Sequence, residues 1–260
     1  MPSSGSSRCN LFEPPAPGIM NTLRVVTYNV HKCRGLDRRV RPERIAAVLK
    51  ETGGDVIALQ EVLSIDGQGH EQHQARYIAE ALGMQYRIGE NRRLHGGAYG
   101  NVTLTRLPLV KVENFDITWR GRERRGCLRA DVQLAEQRLI HVFNIHLGTA
   151  YIERRFQGRR LVSDEILNRS ELSGPRVIVG DFNEWTFGLA SRLLSMHFKS
   201  ADVRYHLRSV RTYPGILPLV HLDHVYYDDT LELKQLVLHR SRTALIASDH
   251  LPLVADFALR

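Results

Sequence analysis

The chain has 260 residues, 43% of them hydrophobic, and a formal net charge of +8 from 36 Lys and Arg against 28 Asp and Glu. No apolar run approaches the roughly 20 residues that a membrane-crossing helix needs. Three cysteines, Cys9, Cys33 and Cys127, are too few and too scattered for a disulfide framework or a zinc site. The positive charge favours an anionic partner, and the cysteine usage fits a reducing compartment, so a cytoplasmic location is expected.

Residues 1–19 are rich in Ser, Pro and Gly and lack the apolar stretch of a signal peptide, so a disordered tail is expected there, with one domain over residues 20–260. Met20 immediately precedes the first strand and is a candidate start of translation. From Leu23 to Val30 the sequence alternates and is β-branched, which predicts a strand ending at Asn29. Pro42 suits a first helical turn, and Ile45, Val48 and Leu49 mark the apolar face of a helix that stops at Gly53-Gly54. Residues Asp55 to Gln60 read as a buried strand delivering Glu61 at its end, so the chain opens with an α/β unit.

After a polar loop from Ser64 to Gln72, Ala75, Ile78, Ala79 and Leu82 predict a helix stopped by Gly83. Strands are expected at Met84–Ile88, Gly100–Thr105, Leu109–Ile117, Gly126–Leu134 and Arg138–Ile145, forming an antiparallel meander. Tyr151 to Asn168 reads as a helix with Ile152, Phe156 and Ile166 inward and Gly158 as its weak point. The stretch Val177-Ile178-Val179 reads as a buried strand, and Leu189, Leu193 and Met196 mark a short helix. Leu219–Tyr227, Leu231–Leu238 and Leu251–Phe257 complete the strands. Two half-chains with similar alternation, meeting near residue 150, predict two packed sheets in one domain.

Chemistry gathers at the ends of these runs. In Gly180-Asp181-Phe182-Asn183, the glycine permits a close backbone approach, and an extended chain would point Asp181 and Asn183 the same way. Glu61 has no core role at a strand end, and a lone carboxylate with no His/Cys cluster suits magnesium, which binds one or two carboxylates plus water and phosphate oxygens. His250 follows Asp249 and could act as an acid, a base or a donor to a charged phosphate, with Asp223 as the acid that orients it. Asp181 is then left to position or deprotonate water. Asn29, Asn183 and His146 would supply hydrogen bonds, and Arg125 a contact to substrate phosphate. Arg120, Arg122, Arg124 and Arg125 form one basic loop, and Arg155 and Arg159 share a helix face, fitting either a nucleic-acid backbone or an anionic membrane.

Thr27-Tyr28-Asn29, Leu59-Gln60-Glu61-Val62, Gly100-Asn101-Val102, Asn144-Ile145-His146-Leu147, Gly180-Asp181-Phe182-Asn183, Leu222-Asp223 and Ser248-Asp249-His250 occur in the order seen in the endonuclease/exonuclease/phosphatase superfamily. The chain resembles that superfamily over about residues 23–258, and its spacing is most like that of small bacterial members. The resemblance implies a four-layer α-β-β-α sandwich with two packed, mostly antiparallel sheets. It implies a divalent metal at Glu61, shared with Asp249 and Asn29, with magnesium expected and manganese as the alternative. It further implies Asp181 and Asn183 around the nucleophilic water, Asp223 paired with His250, His146 at a phosphate-contacting position, and Asn101 within the substrate motif. His31 stands where repair endonucleases of the superfamily keep an acid, two residues after the Asn29 equivalent. The expected activity is metal-dependent phosphodiester hydrolysis by in-line attack of water, with a nuclease first. A phospholipid phosphodiesterase or phosphomonoesterase at an anionic membrane is second. A catalytically inactive binding module is last, because it would have no reason to retain every candidate catalytic residue.

Overall fold

The computed structural model describes residues 21–67, 69–135, 138–184, 188–201 and 221–259. Two six-stranded sheets pack face to face. In chain order the strands are β1 (Thr22–Asn29), β2 (Val56–Ser64), β3 (Gln85–Leu94), β4 (Gly97–Thr105), β5 (Leu109–Asp116), β6 (Gly126–Ala135), β7 (Arg138–His146), β8 (Arg176–Asp181), β9 (Lys199–Ser200), β10 (Asp223–Tyr227), β11 (Leu231–Leu238) and β12 (Leu253–Leu259). The first sheet runs β11-β12-β1-β2-β4-β3 and the second β5-β6-β7-β8-β10-β9. The helices are α1 (Pro42–Thr52), α2 (Gln74–Leu82), α3 (Tyr151–Leu161), α4 (Leu189–Ser195) and α5 (Ala244–Ala247).

Each sheet is antiparallel except for one central parallel pair. The β1 and β2 strands are parallel and joined through α1; β7 and β8 are parallel and joined through α3. A parallel pair needs such a crossover, and its two strands finish at the same end. The four ends are Asn29, the Glu61 region, His146 and Asp181. Antiparallel neighbours enter where these strands leave: Asp223 opens β10 opposite Asp181, and the segment carrying Asp249 and His250 leads into β12, which pairs with β1. Topology therefore delivers every predicted strand-end polar residue to one edge of the sandwich.

The interior is layered as alternation requires. Val177, Val179 and Val225 face the first sheet, whereas Ile178 and Tyr226 face the opposite way with Phe143, Leu161 and Leu194. A polar seam crosses the inter-sheet core just below the edge. Gln60 Nε2 donates to Asn144 Oδ1 at 2.8 Å, and Asn144 Nδ2 donates to the carbonyls of Leu59 and Val102 at 3.0 Å each. Asn101 Nδ2 donates to the carbonyls of Gly126 and Asn144, also at 3.0 Å.

Several expectations are corrected. Strand β2 continues through Glu61 to Ser64, because a bulge between Leu59 and Val62 absorbs Glu61 at φ 58° within the strand. The meander divides between sheets: β3 and β4 complete the first, β5 to β7 begin the second, and β11 and β12 return to the first. The two sheets are thus not the two half-chains. Helix α3 stops at Leu161 and buries Glu153, Gln157, Gly158 and Leu161, while Ile152 is exposed. Gly158 is a contact point, since a Cβ there would meet Ala190 Cα of α4 at 2.8 Å. Met196 lies beyond α4 and is exposed. Residues 219 and 220 of the strand predicted over Leu219–Tyr227, the N-terminal tail with Met20, and Cys9 lie outside the described residues. Cys33 and Cys127 are buried free thiols that burial pushes well above the ordinary range.

Candidate active site

Asp181 is the hub. Gly180 precedes it at φ 146°, where a Cβ would lie 1.8 Å from the Ile145 carbonyl of β7, so only glycine allows this strand approach. The Asp181 carboxylate is held on both oxygens: Asn29 Nδ2 donates to Oδ2 at 3.0 Å and the Asn183 backbone N–H donates to Oδ1 at 2.9 Å. Asn183 adopts φ 49° and has left the strand, so it does not align with Asp181 by alternation; its Nδ2 donates to the Leu147 carbonyl.

Two histidines flank Asp181 Oδ2, His146 Nε2 at 3.7 Å and His250 Nε2 at 3.6 Å. Their environments drive them apart. Burial alone would lower His250, but the carboxylates of Asp223, 3.0 Å from Nδ1, and Asp181 outweigh it and push the ring up to about 10. Burial and the Arg125 guanidinium pull His146 down to about 4. One ring is thus a cation at neutral pH and the other is neutral, the kind of split that separates acid-base roles. Burial pushes Asp181 above the ordinary carboxylate range, opposed by the two rings.

Glu61 stands beside this group. Asn29 Nδ2 donates to its Oε1 at 3.3 Å, and the Lys32 ammonium donates to its Oε2 at 3.0 Å. Burial would raise Glu61, but the His146 ring when charged, Lys32 and the Asn29 amide hold it below the ordinary range. Because His146 is neutral near pH 7, Lys32 carries most of that effect there. Asn29 Oδ1 accepts the His31 N–H at 3.1 Å, and Ser248 Oγ donates to the Asn29 carbonyl at 2.8 Å. Asp249 Oδ1 lies 3.6 Å from His31 Nδ1.

These oxygens fit a hard cation. The strained bulge aims Glu61 at the hub, and a lysine ammonium already sits where positive charge is wanted. Among the described residues no group of three or more His, Cys, Asp or Glu side chains is gathered to hold a metal. Asn29 presents its amide nitrogen to Glu61 and Asp181, so as a ligand it would have to turn its oxygen inward.

Of the predicted residues, Asn29, Glu61, His146, Asp181, Asn183, Asp223 and His250 come together. Asn101 lies in the polar seam, fully buried, with its Oδ1 free of any partner among the described residues. Arg125 is buried and its Nη2 donates to Glu123 Oε2 at 3.0 Å. Sequence reasoning missed Lys32, which pairs with Glu61, and Tyr99, whose ring centroid lies 5.8 Å from the Lys32 ammonium. Lys32 has only a short basic turn as its signal, and Tyr99 borders the Gly100-Asn101 motif.

A family model described as the Endonuclease/Exonuclease/phosphatase family matches residues 26–250. The chain belongs to this family. It is 29% identical over 253 residues to the uncharacterized protein YbhP of Escherichia coli K12, covering 92% of this chain and 97% of that protein. The solved endonuclease/exonuclease/phosphatase structure from Beutenbergia cavernae is similar at TM-score 0.70 and 23% identity, over 92% of this chain and 72% of that one. A mannosyl-6-phosphatase from Bacteroides thetaiotaomicron shares the fold at TM-score 0.73 and 18% identity, over 91% and 100%. Members of this superfamily are phosphoesterase-type hydrolases and generally use divalent metals. No helix among the described residues is long and apolar enough to cross a membrane.

Proposed function

We propose that the protein is a magnesium-dependent phosphodiester hydrolase acting on nucleic acid. The observation that carries this reading is the Asp181 carboxylate held by Asn29 and Asn183 between a neutral and a cationic histidine, beside Glu61. Asp181 orients a water and takes its proton as the water oxygen forms a bond to phosphorus and the opposite bond from phosphorus to the ester oxygen breaks, the leaving oxygen taking its proton from solvent. Burial raises the carboxylate's affinity for that proton, as a base requires. His250, kept charged and aimed by Asp223, donates to phosphate oxygen as negative charge develops; neutral His146 donates from the other side. Arg125 contacts the substrate, whereas Asn101, fully buried with its Nδ2 donating to the carbonyls of Gly126 and Asn144, holds the seam beneath the site and does not take the substrate-binding role expected of it. Glu61, with Asp249 and Asn29, would hold the cation, magnesium or alternatively manganese, which would supply charge neutralisation to the substrate phosphate.

The +8 charge supports a polyanionic partner. The second reading is a phosphomonoester or a phospholipid at an anionic membrane surface, supported by the shared fold of the mannosyl-6-phosphatase and by the basic loops. Glu61→Gln tests the assignment. The variant should stay folded, bind magnesium at least about tenfold more weakly by calorimetry, and lose metal-dependent hydrolysis of plasmid DNA. Unchanged metal affinity and full activity would remove Glu61 from the role.

A further inference from the structure

A second group of charges adjoins Glu61, and the hydrolysis just described leaves most of it unused. His31, Lys32 and Cys33 all have positive φ, at 45°, 59° and 55°, a tight turn that brings the Lys32 ammonium onto Glu61. The same ammonium lies 5.8 Å from the centroid of the Tyr99 ring. Tyr99 is the cross-strand partner of Arg92, whose guanidinium lies over that ring at 4.8 Å. Arg92 continues to Glu123, with Nη2 2.9 Å from Oε1, and the other oxygen of Glu123 accepts from Arg125 Nη2 at 3.0 Å.

One carboxylate is therefore shared by two guanidiniums, each of which has a buried Nε without a partner among the described residues. Orphaned donors of this kind are costly unless a ligand completes them. Arg125 is 7% exposed, whereas the Lys32, Arg92 and Glu123 side chains are 31 to 39% exposed, so a ligand can enter. Planar guanidinium forks beside an ammonium suit a phosphate dianion in charge and hydrogen-bonding type.

We infer that Lys32, Arg92 and Arg125, arranged around Tyr99, form a second anion subsite, so that the substrate carries a further phosphate group beside the scissile one. The inference rests on the phosphoester reading of the Asp181 centre and narrows its substrate class. Without substrate, Glu123 bridges the two arginines; the second phosphate takes its place.

Binding of inorganic phosphate and of inorganic pyrophosphate to the full chain, measured by calorimetry with chelator present to prevent turnover, tests this. Pyrophosphate should bind about tenfold or more tightly than phosphate, consistent with one added charge-assisted contact set. Arg92→Ala and Arg92→Gln should each bring the two affinities within about threefold while leaving phosphate binding in place, and Lys32→Met should act in the same direction. Glu123→Gln should do the opposite and widen the preference, a gain that a merely structural role for Glu123 would not produce. Circular dichroism and thermal melts matched to the parent chain establish that the variants are folded. Equal affinities in the parent chain, a preference untouched in both Arg92 variants, or a preference reduced by Glu123→Gln would each overturn the subsite. Absence of magnesium-dependent phosphoester hydrolysis by the parent chain, with the Arg92-dependent preference for pyrophosphate retained, would count against the Asp181 centre and leave the subsite standing.

Discussion

At the scale of single residues, charges in this protein are placed by what surrounds them. The two site histidines share Asp181 and differ because His250 also bonds the Asp223 carboxylate, whereas burial and the Arg125 guanidinium outweigh the carboxylates around His146. A second buried arrangement lies away from the site. Asp131 accepts from Arg129 at 2.7 and 2.6 Å and from His141 Nδ1 at 2.7 Å, while His141 Nε2 accepts the Gly174 N–H at 3.2 Å. Burial would raise Asp131, but His141 and Arg129 together hold it below its ordinary value of 3.8. A carboxylate depressed in the folded state contributes stability that is present above the unfolded value and is lost as pH falls through the folded one. Asp131→Asn should therefore lower stability at pH 7 and flatten the loss between about pH 5 and pH 2. Urea unfolding across that range measures it, and an acid limb as steep as that of the parent chain would refute it.

At the scale of elements, what the sequence conveys is the apolar run and the polar residue that ends it. Asn29, His146 and Asp181 were legible for that reason: each closes a β-branched or aliphatic run, and a parallel strand end has no other use for such a residue. Glu61 was found but misplaced, because a bulge depends on the partner strand and leaves no local mark. The end of α3 at Leu161 was hidden because apolar residues continue to Ile166 and Leu167, which pack in the same core without helical backbone. Lys32 and Arg92 were illegible as site residues, since only the β3-β4 register and a strained turn bring them to Tyr99 and Glu61. The seam of Gln60, Asn101 and Asn144 joins elements that no local pattern relates. Asn144→Ala leaves two carbonyls and the Gln60 amide without their partner inside the core, which should cost about 3 kcal/mol or more. A urea titration reads this directly; a change under about 1 kcal/mol would mean that water or a shifted side chain replaces the asparagine.

At the scale of the molecule, the expectation of two packed sheets with helices outside matches the architecture, and the way the chain threads between them does not follow the sequence halves. The return of β11 and β12 to the first sheet is what places Asp249 and His250 against Asn29, across the seam from Asp223 and Asp181. Two parallel pairs, one per sheet, bring Asn29, Glu61, His146 and Asp181 to one edge. The central claim is that this edge is a metal-dependent phosphoester hydrolase centre with Asp181 as its base. The most direct test is hydrolysis of plasmid DNA, an abasic duplex, RNA and cardiolipin vesicles, with magnesium and with chelator, by the parent chain and by Asp181→Asn at matched folding. The account predicts turnover that requires the metal and falls by about 10³-fold or more in the variant. Turnover that survives chelation, or that persists in Asp181→Asn near the parent rate, would contradict it.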